Sequence, residues 1–222
     1  IEEGKVVEGY AAEVMGQSKV VPVEVQEAVM TLNKLAAKFR KKRFAAGAIS
    51  FERPEMKVQV DENGKPVGVC QKISKEANWL IEEFMLLANR SVAEFVAKGA
   101  QLDKNGNPLD KPKAIKDEKT FVYRVHDEPD FAKIDNLRGF VGNFGYNIGP
   151  VENGKDISRE LNKLFTSAKD APEFNAIELL ALRTMAKARY DVNNIGHYGL
   201  AFSYYTHFTS PIRRYPDLMV HR

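Results

Sequence analysis

The sequence predicts an α+β fold: a helix-rich body with a small antiparallel sheet. Two observations predict it. Helical stretches dominate the 222 residues, and a few strand-like runs cluster early. No internal repeat and no low-complexity tract interrupts that pattern. Hydrophobic residues make up 44% and charged residues 28%, with chain enough for one large domain or two small ones around a real core.

The elements follow in order. "VPVEVQEAVMTLNKLAAKFRKKRF" predicts a helix, with Pro22 in the first turn and Glu24 at the positive end of the dipole. Val25, Val29, Leu32, Ala36 and Phe39 form its apolar stripe. Arg40, Lys41, Lys42 and Arg43 crowd its end and read as a cap and a solvated face, with RNA-phosphate contact as the alternative. Gly47 closes the helix. "AISFERPEMKVQV" and "KPVGVCQKI" read as strands joined through an Asn63-Gly64 turn. Phe51 ends its strand, where an aromatic is either core or a platform for a base.

Ser74 reads as the N-cap of a long helix closed by Gly99. Leu80, Phe84, Leu87, Ser91 and Phe95 fall on one side, widened by Ile81, Met85 and Val92. Trp79 and Leu86 are apolar on the far side, so the helix is expected to be buried. Glu82, Glu83 and Asn89 lie on the same helix. They are either rim residues and structural partners for arginines, or the means of delivering a carboxylate into a site. The run from Lys98 to Thr120 reads as a long polar loop. "FVYRVHDEPD" predicts a strand and a turn into a helix near Pro129. Asp127, Glu128 and Asp130 there are capping chemistry rather than a metal cluster. A short helix capped by Asp156 follows. The next helix is capped by Asp170 and carries Phe174, Ile177, Leu180, Ala181 and Met185 inward.

The last thirty or so residues differ in kind. They read as irregular chain rich in histidine, tyrosine and arginine. Ser210-Pro211 signals one short turn, and Pro216 starts a second helix with Asp217 in its first turn. Arg213 and Arg214 are adjacent, so in a helical turn they point about 100° apart. One suits a phosphate and the other a carboxylate, or both sit in ion pairs. His197, His207 and His221 match no zinc spacing. No phosphate-cradling glycine loop and no nucleophile elbow is present.

Net charge is +3 with a pI near 8.8, which permits a nucleic-acid partner without requiring one. The single cysteine, Cys70, excludes an intramolecular disulfide and fits a reducing, cytoplasmic setting. No run reaches membrane-spanning length. Both ends are expected to be cut from a longer protein, since the chain lacks an initiator methionine and closes on a helix getting under way.

"GHYGLAFSYYTHFTSPIRRYPDLMVHR" resembles the signature of the ribonuclease II/ribonuclease R family of processive exoribonucleases. "KKRFAAGAISFERPE", "LIEEFMLLANRSVAEFVAKG" and "FVYRVHDEPD" are similar to that family in the same order, with wording nearest the ribonuclease R branch. The resemblance implies a magnesium-dependent 3′-to-5′ exoribonuclease that hydrolyses single-stranded RNA from its 3′ end to nucleoside 5′-monophosphates. It implies two-metal chemistry on an aspartate cluster. That cluster belongs to the first half of the catalytic domain, and its motif is missing here, as are the OB-fold RNA-binding domains. Residues 1–222 are therefore expected to be the carboxyl-terminal half of the catalytic domain, inactive alone. The alternative is a non-catalytic RNA-binding or scaffolding homologue.

The resemblance also assigns roles residue by residue. Phe51 stacks on bases at the 3′ end. Glu82 contacts the terminal ribose and reads its 2′-hydroxyl. Arg213 holds the scissile phosphate. Arg214, Glu83 and Tyr215 share these motifs and are read as structural.

Overall fold

The computed structural model describes residues 22–51, 55–72, 74–102, 108–113, 120–210 and 213–221. The order of elements is α1 (Val23–Ala45), β1 (Glu55–Val60), β2 (Pro66–Lys72), α2 (Glu76–Lys98), β3 (Ala100–Leu102), β4 (Pro108–Lys113), β5 (Tyr123–Val125), α3 (Phe131–Gly142), α4 (Gly154–Ala168), α5 (Phe174–Thr184), β6 (Arg189–Asp191), a 3₁₀ turn (Tyr198–Leu200) and α6 (Tyr215–His221). The α+β class is as expected. The small antiparallel pairing is as expected too, divided among the described residues into three two-stranded pairs, β1–β2, β3–β4 and β5–β6.

The chain divides into two compact units, Ile1–Lys42 with Glu52–Phe84, and Arg43–Phe51 with Met85–Arg222. In the first unit, Phe39 meets Phe84 edge-on at 6.1 Å and the Arg40 guanidinium lies 4.9 Å above the Trp79 ring. Asn33 donates to Glu76 at 3.0 Å. The predicted stripe of α1 is only partly buried. Ala36 is covered, but Val25 and Leu32 are exposed. The hairpin turn forms as read. Asp61 Oδ1 accepts from the Asn63 and Lys65 backbone N–H groups at 2.9 and 2.8 Å, and Gly64 takes φ +78°. Met56, Val58, Val60, Val67 and Val69 of this hairpin are all exposed.

The second unit holds the main core. Ile134, Leu137 and Val141 of α3, Ile157, Leu161, Leu164 and Phe165 of α4, and Ile177 and Ala181 of α5 pack together with Ile49 and Ile148. These positions recur every three or four residues, so three amphipathic helices bury one stripe each. A smaller cluster joins Ala93 of α2 to Tyr123 and Val125 of β5.

Several local expectations are corrected. Ala48–Ser50 is irregular chain, not strand. The Lys98–Thr120 segment is not all loop, because β3 and β4 pair within it; residues 103–107 and 114–119 lie outside the described residues. The first turn of α2 hydrogen-bonds to the Lys75 carbonyl, and Asn78 Oδ1 accepts from Lys75 N–H at 3.0 Å, so Lys75 rather than Ser74 takes the cap position. Asn153, not Asp156, caps α4 by accepting from Asp156 N–H. Glu173, not Asp170, precedes α5 and makes no side-chain cap. Asp130 does cap α3, accepting from Ala132 N–H at 2.9 Å.

The expectation that α2 is buried nearly all round is met on one side only. Glu83, Leu86, Asn89 and Ala93 are covered, while Ile81, Met85 and Phe95 are exposed. Leu86 lies on the side taken as the far side. Apolar residues lie on both sides, yet the covered side is the one that carries Glu83 and Asn89, whose polar atoms have partners inside, which removes the usual cost of burying them.

Core position, not hydrophobicity, sets sensitivity here. Leu161→Ala is expected to cost about 2–5 kcal/mol in urea denaturation, because it opens a cavity among three helices. Val58→Ala on the exposed hairpin should stay within about 0.5 kcal/mol.

Candidate nucleic-acid interface

The final segment is held by β5. The Arg124 N–H donates to Tyr205 O at 2.9 Å, and Thr206 Oγ1 donates to Val122 O at the same distance. His126 N–H donates to Gly196 O, and its carbonyl accepts from Tyr198 N–H. The last segment thus obtains partners for its backbone without forming a regular sheet.

The arginine pair divides sharply. Arg213 is exposed. Arg214 is 15% exposed at the side chain and faces Asp217, which is fully buried. Arg214 Nε donates to Asp217 Oδ2 at 2.8 Å and Nη2 to Oδ1 at 3.2 Å. The same carboxylate accepts from Ser210 N–H at 3.2 Å and from Arg214 N–H at 3.1 Å. The Arg214 bond, first, holds the Asp217 carboxyl below its ordinary range, against the opposing effect of burial. On its other side Arg214 Nη1 meets His207 Nδ1 at 2.7 Å. Burial, with the Arg214 cation next, lowers the His207 pKa. Tyr215 is 82% exposed. Pro211 and Ile212 lie outside the described residues.

Asn89 closes this cluster from α2. It is 2% exposed. Its Oδ1 accepts from Phe208 N–H at 3.0 Å, and its Nδ2 donates to Thr209 Oγ1 at 3.1 Å. Asn162 of α4 treats Ala48–Ser50 in the same way. Its Nδ2 donates to Ala48 O at 2.8 Å, and its Oδ1 accepts from Ser50 N–H at 3.4 Å. Between them Ile49 N–H donates to Gly199 O at 3.0 Å. Phe51 follows directly. It is half-buried, and its ring lies 5.4 Å from that of Phe165.

In the other unit, Glu82 and Glu83 both approach Arg40 at 3.9 Å. Their exposures differ: 47% for the Glu82 side chain and 3% for Glu83. Arg40 is therefore half-buried between an aromatic ring and two carboxylates, and Arg43, in the second unit, is buried over Phe44. The solvated face read for that cluster therefore holds for the exposed Lys41 and Lys42 but not for the two arginines.

The histidines form a second network. His126 Nδ1 accepts from Gly199 N–H at 3.0 Å, so the ring donates through Nε2 to Ala186 O at 2.8 Å. His197 packs 5.0 Å from it, with Nδ1 buried and no hydrogen-bond partner among the described residues. Burial, with neighbouring positive charge second, drives the His197 pKa down to about 3.

The described residues do not form a magnesium site. No three His, Cys, Asp or Glu side chains converge among them. Asp61, Asp130 and Asp156 serve turns and helix starts, Asp127 pairs with Arg189, and Asp217 with Arg214. A separate open cavity of about 800 Å³ lies between Phe44–Gly47 and the Lys155, Arg159 and Lys163 row of α4. Asp156 and Glu160 already pair with two of those cations.

Residues 4–222 match the RNB domain model. The chain belongs to the RNB domain family. It is 42% identical over 189 residues to ribonuclease R of Thermotoga maritima, covering 85% of this chain and 24% of that protein. RNase R of Mycoplasma genitalium, solved with ribose-methylated single-stranded RNA, superimposes with a TM-score of 0.73 at 29% identity, covering 95% of this chain and 30% of that one. Yeast Ssd1, described as a pseudonuclease, superimposes with a TM-score of 0.54 at 25% identity over 92% of this chain and 23% of that one. This RNB chain thus spans about a quarter of the length of the curated relatives it matches. Among the described residues no helix is long and apolar enough to cross a membrane.

Sequence reasoning missed Asn89 and Asn162 as organisers. For Asn89 the signal was present, as an amide on a helix expected to be buried. For Asn162 there was none, since its partners lie more than a hundred residues away.

Two outcomes follow. His126, His197 and His207 all have lowered pKa values in the folded state. The stability they contribute is complete above the ordinary value of 6.5 and is lost as pH falls, for His197 down to about 3. Unfolding free energies from urea titrations should therefore drop between pH 7 and pH 5, by about 1.4 kcal/mol per pH unit for each proton taken up on unfolding; His197→Gln should flatten the curve. Separately, Asp217→Ala should cost about 3 kcal/mol, read from thermal melts, because it strands Arg214 and two backbone donors.

Proposed function

We propose that this chain is the carboxyl-terminal part of the catalytic domain of a ribonuclease R-like 3′-to-5′ exoribonuclease. The whole enzyme degrades single-stranded RNA from its 3′ end to nucleoside 5′-monophosphates in the cytoplasm. The observation that carries this reading is the division of the arginine pair inside an RNB domain. Arg214 is neutralised by buried Asp217, while its neighbour Arg213 presents a guanidinium to the surface. A guanidinium held at that point suits a scissile phosphate, whose charge grows in the transition state.

The other roles have support of the same kind. Glu82 is exposed enough to meet a ribose, and Glu83 is buried against Arg40 as a structural residue would be. Phe51 is anchored on one side by Phe165, which leaves a half-buried ring on a fixed segment for a terminal base. Magnesium would activate water in the whole enzyme. The described residues do not supply its ligands, and we assign those to the part of the protein outside this chain. The 222-residue chain alone is then inactive.

In the whole protein, Arg213→Ala should lower turnover by about 10²-fold or more, the scale of losing a transition-state charge contact, while RNA binding persists. Unchanged turnover would remove Arg213 from the chemistry. Nucleotide release by the purified 222-residue chain in magnesium would contradict the split site. A second reading is a non-catalytic RNA-binding homologue, favoured by the likeness to a pseudonuclease. Salt-sensitive RNA binding by the whole protein with no magnesium-dependent nucleotide release would select it.

A further inference from the structure

We propose that Asn89 is a positioning residue for Arg213. It sets the irregular segment that aims the guanidinium, with Asp217 as the second anchor. The inference rests on the reading of Arg213 as the phosphate-holding group and goes beyond it.

Residues 206–209 carry no helix or strand, and Ser210 follows as a bend. Chain of that kind has no ladder to set its path, so its direction depends on whatever captures its backbone donors. Here side chains from two helices capture them. Asn89 Oδ1 takes the Phe208 N–H, and Asp217 takes the Ser210 and Arg214 N–H groups. Arg213 stands between these anchors.

The Asn89 amide is used at both ends. A carboxamide has one acceptor and one donor group in a plane, like a peptide, so it imitates a neighbouring strand for one residue. The second direction, Nδ2 to Thr209 Oγ1 at 3.1 Å, pins the adjacent side chain, and Nδ2 also lies 3.4 Å from Tyr205 Oη. Were α2 only packing at this point, a leucine would serve better, because a buried amide brings a desolvation cost that an apolar side chain does not. α2 is also the rigid member. It runs 23 residues, so Asn89, near its middle, is held far from either frayed end.

The expected signature is a loss in turnover without a loss in binding, since a misaimed guanidinium still attracts RNA but no longer meets the developing charge. In the whole protein, Asn89→Ala should lower the single-turnover rate about 10- to 100-fold, the scale of a 1 Å misplacement, with RNA Kd within about threefold. Added to Arg213→Ala, it should cause little further loss, because the two act through one contact. Where Asn89→Ala does not fold by circular dichroism, Thr209→Val carries the test and should slow turnover several-fold at unchanged Kd. A folded Asn89→Ala or Thr209→Val enzyme with full turnover overturns the proposal, as do losses that multiply with Arg213→Ala. A fully active Arg213→Ala enzyme overturns the phosphate-holding reading instead, and the positioning role with it.

Discussion

The buried Asp217 carboxylate is the interaction on which the arginine segment depends. It accepts from two backbone N–H groups and from two nitrogens of Arg214. A carboxylate with no exposure is tolerated only when its charge is matched and its lone pairs are filled, and both conditions are met here. The consequence reaches the neighbouring residue. With Arg214 committed to Asp217, the two adjacent guanidinium groups cannot share one ligand, and Arg213 is directed elsewhere.

The same logic organises the rest of the second unit. Three helices build an ordinary apolar core, and the segments that bear the candidate residues are irregular chain laid against it. Irregular chain buried beside a core must have its donors and acceptors satisfied by side chains. Asn89 does this for Phe208 and Thr209, and Asn162 for Ala48 and Ser50. The His126 ring does it for Gly199. Each of these polar side chains sits on or beside a regular element. Placing candidate residues on loops held by a rigid frame is a common arrangement for binding and catalytic residues.

Much of this was legible along the chain, for local reasons. Gly47 and Gly99 closed their helices because each takes a positive φ that other residues resist, +105° and +77°. The Asn63-Gly64 turn, the span of α1 and α2, and the inward residues of α5 followed from spacing alone. The family wording around Arg213 and Phe51 was legible as well, because it is contiguous. Helix caps were misplaced by one to three residues, since several polar residues near each start compete and geometry selects among them. The β3–β4 pair was missed because β3 is only three residues long and β4 is rich in lysine, proline and aspartate, which strand patterns lack.

By itself, then, the sequence determined the helix spans, the turn chemistry, the α+β class and the RNB membership, because these depend on neighbours within a few residues or on contiguous wording. Only the tertiary structure decided which face of α2 is buried and which arginine of the pair is neutralised. It alone showed that Asn89 and Asn162 hold the candidate segments. The α2 face and the two asparagines rest on partners up to about 120 residues away, whereas Arg214 and Asp217 are only three residues apart and it is the burial of that carboxylate that selects between the arginines.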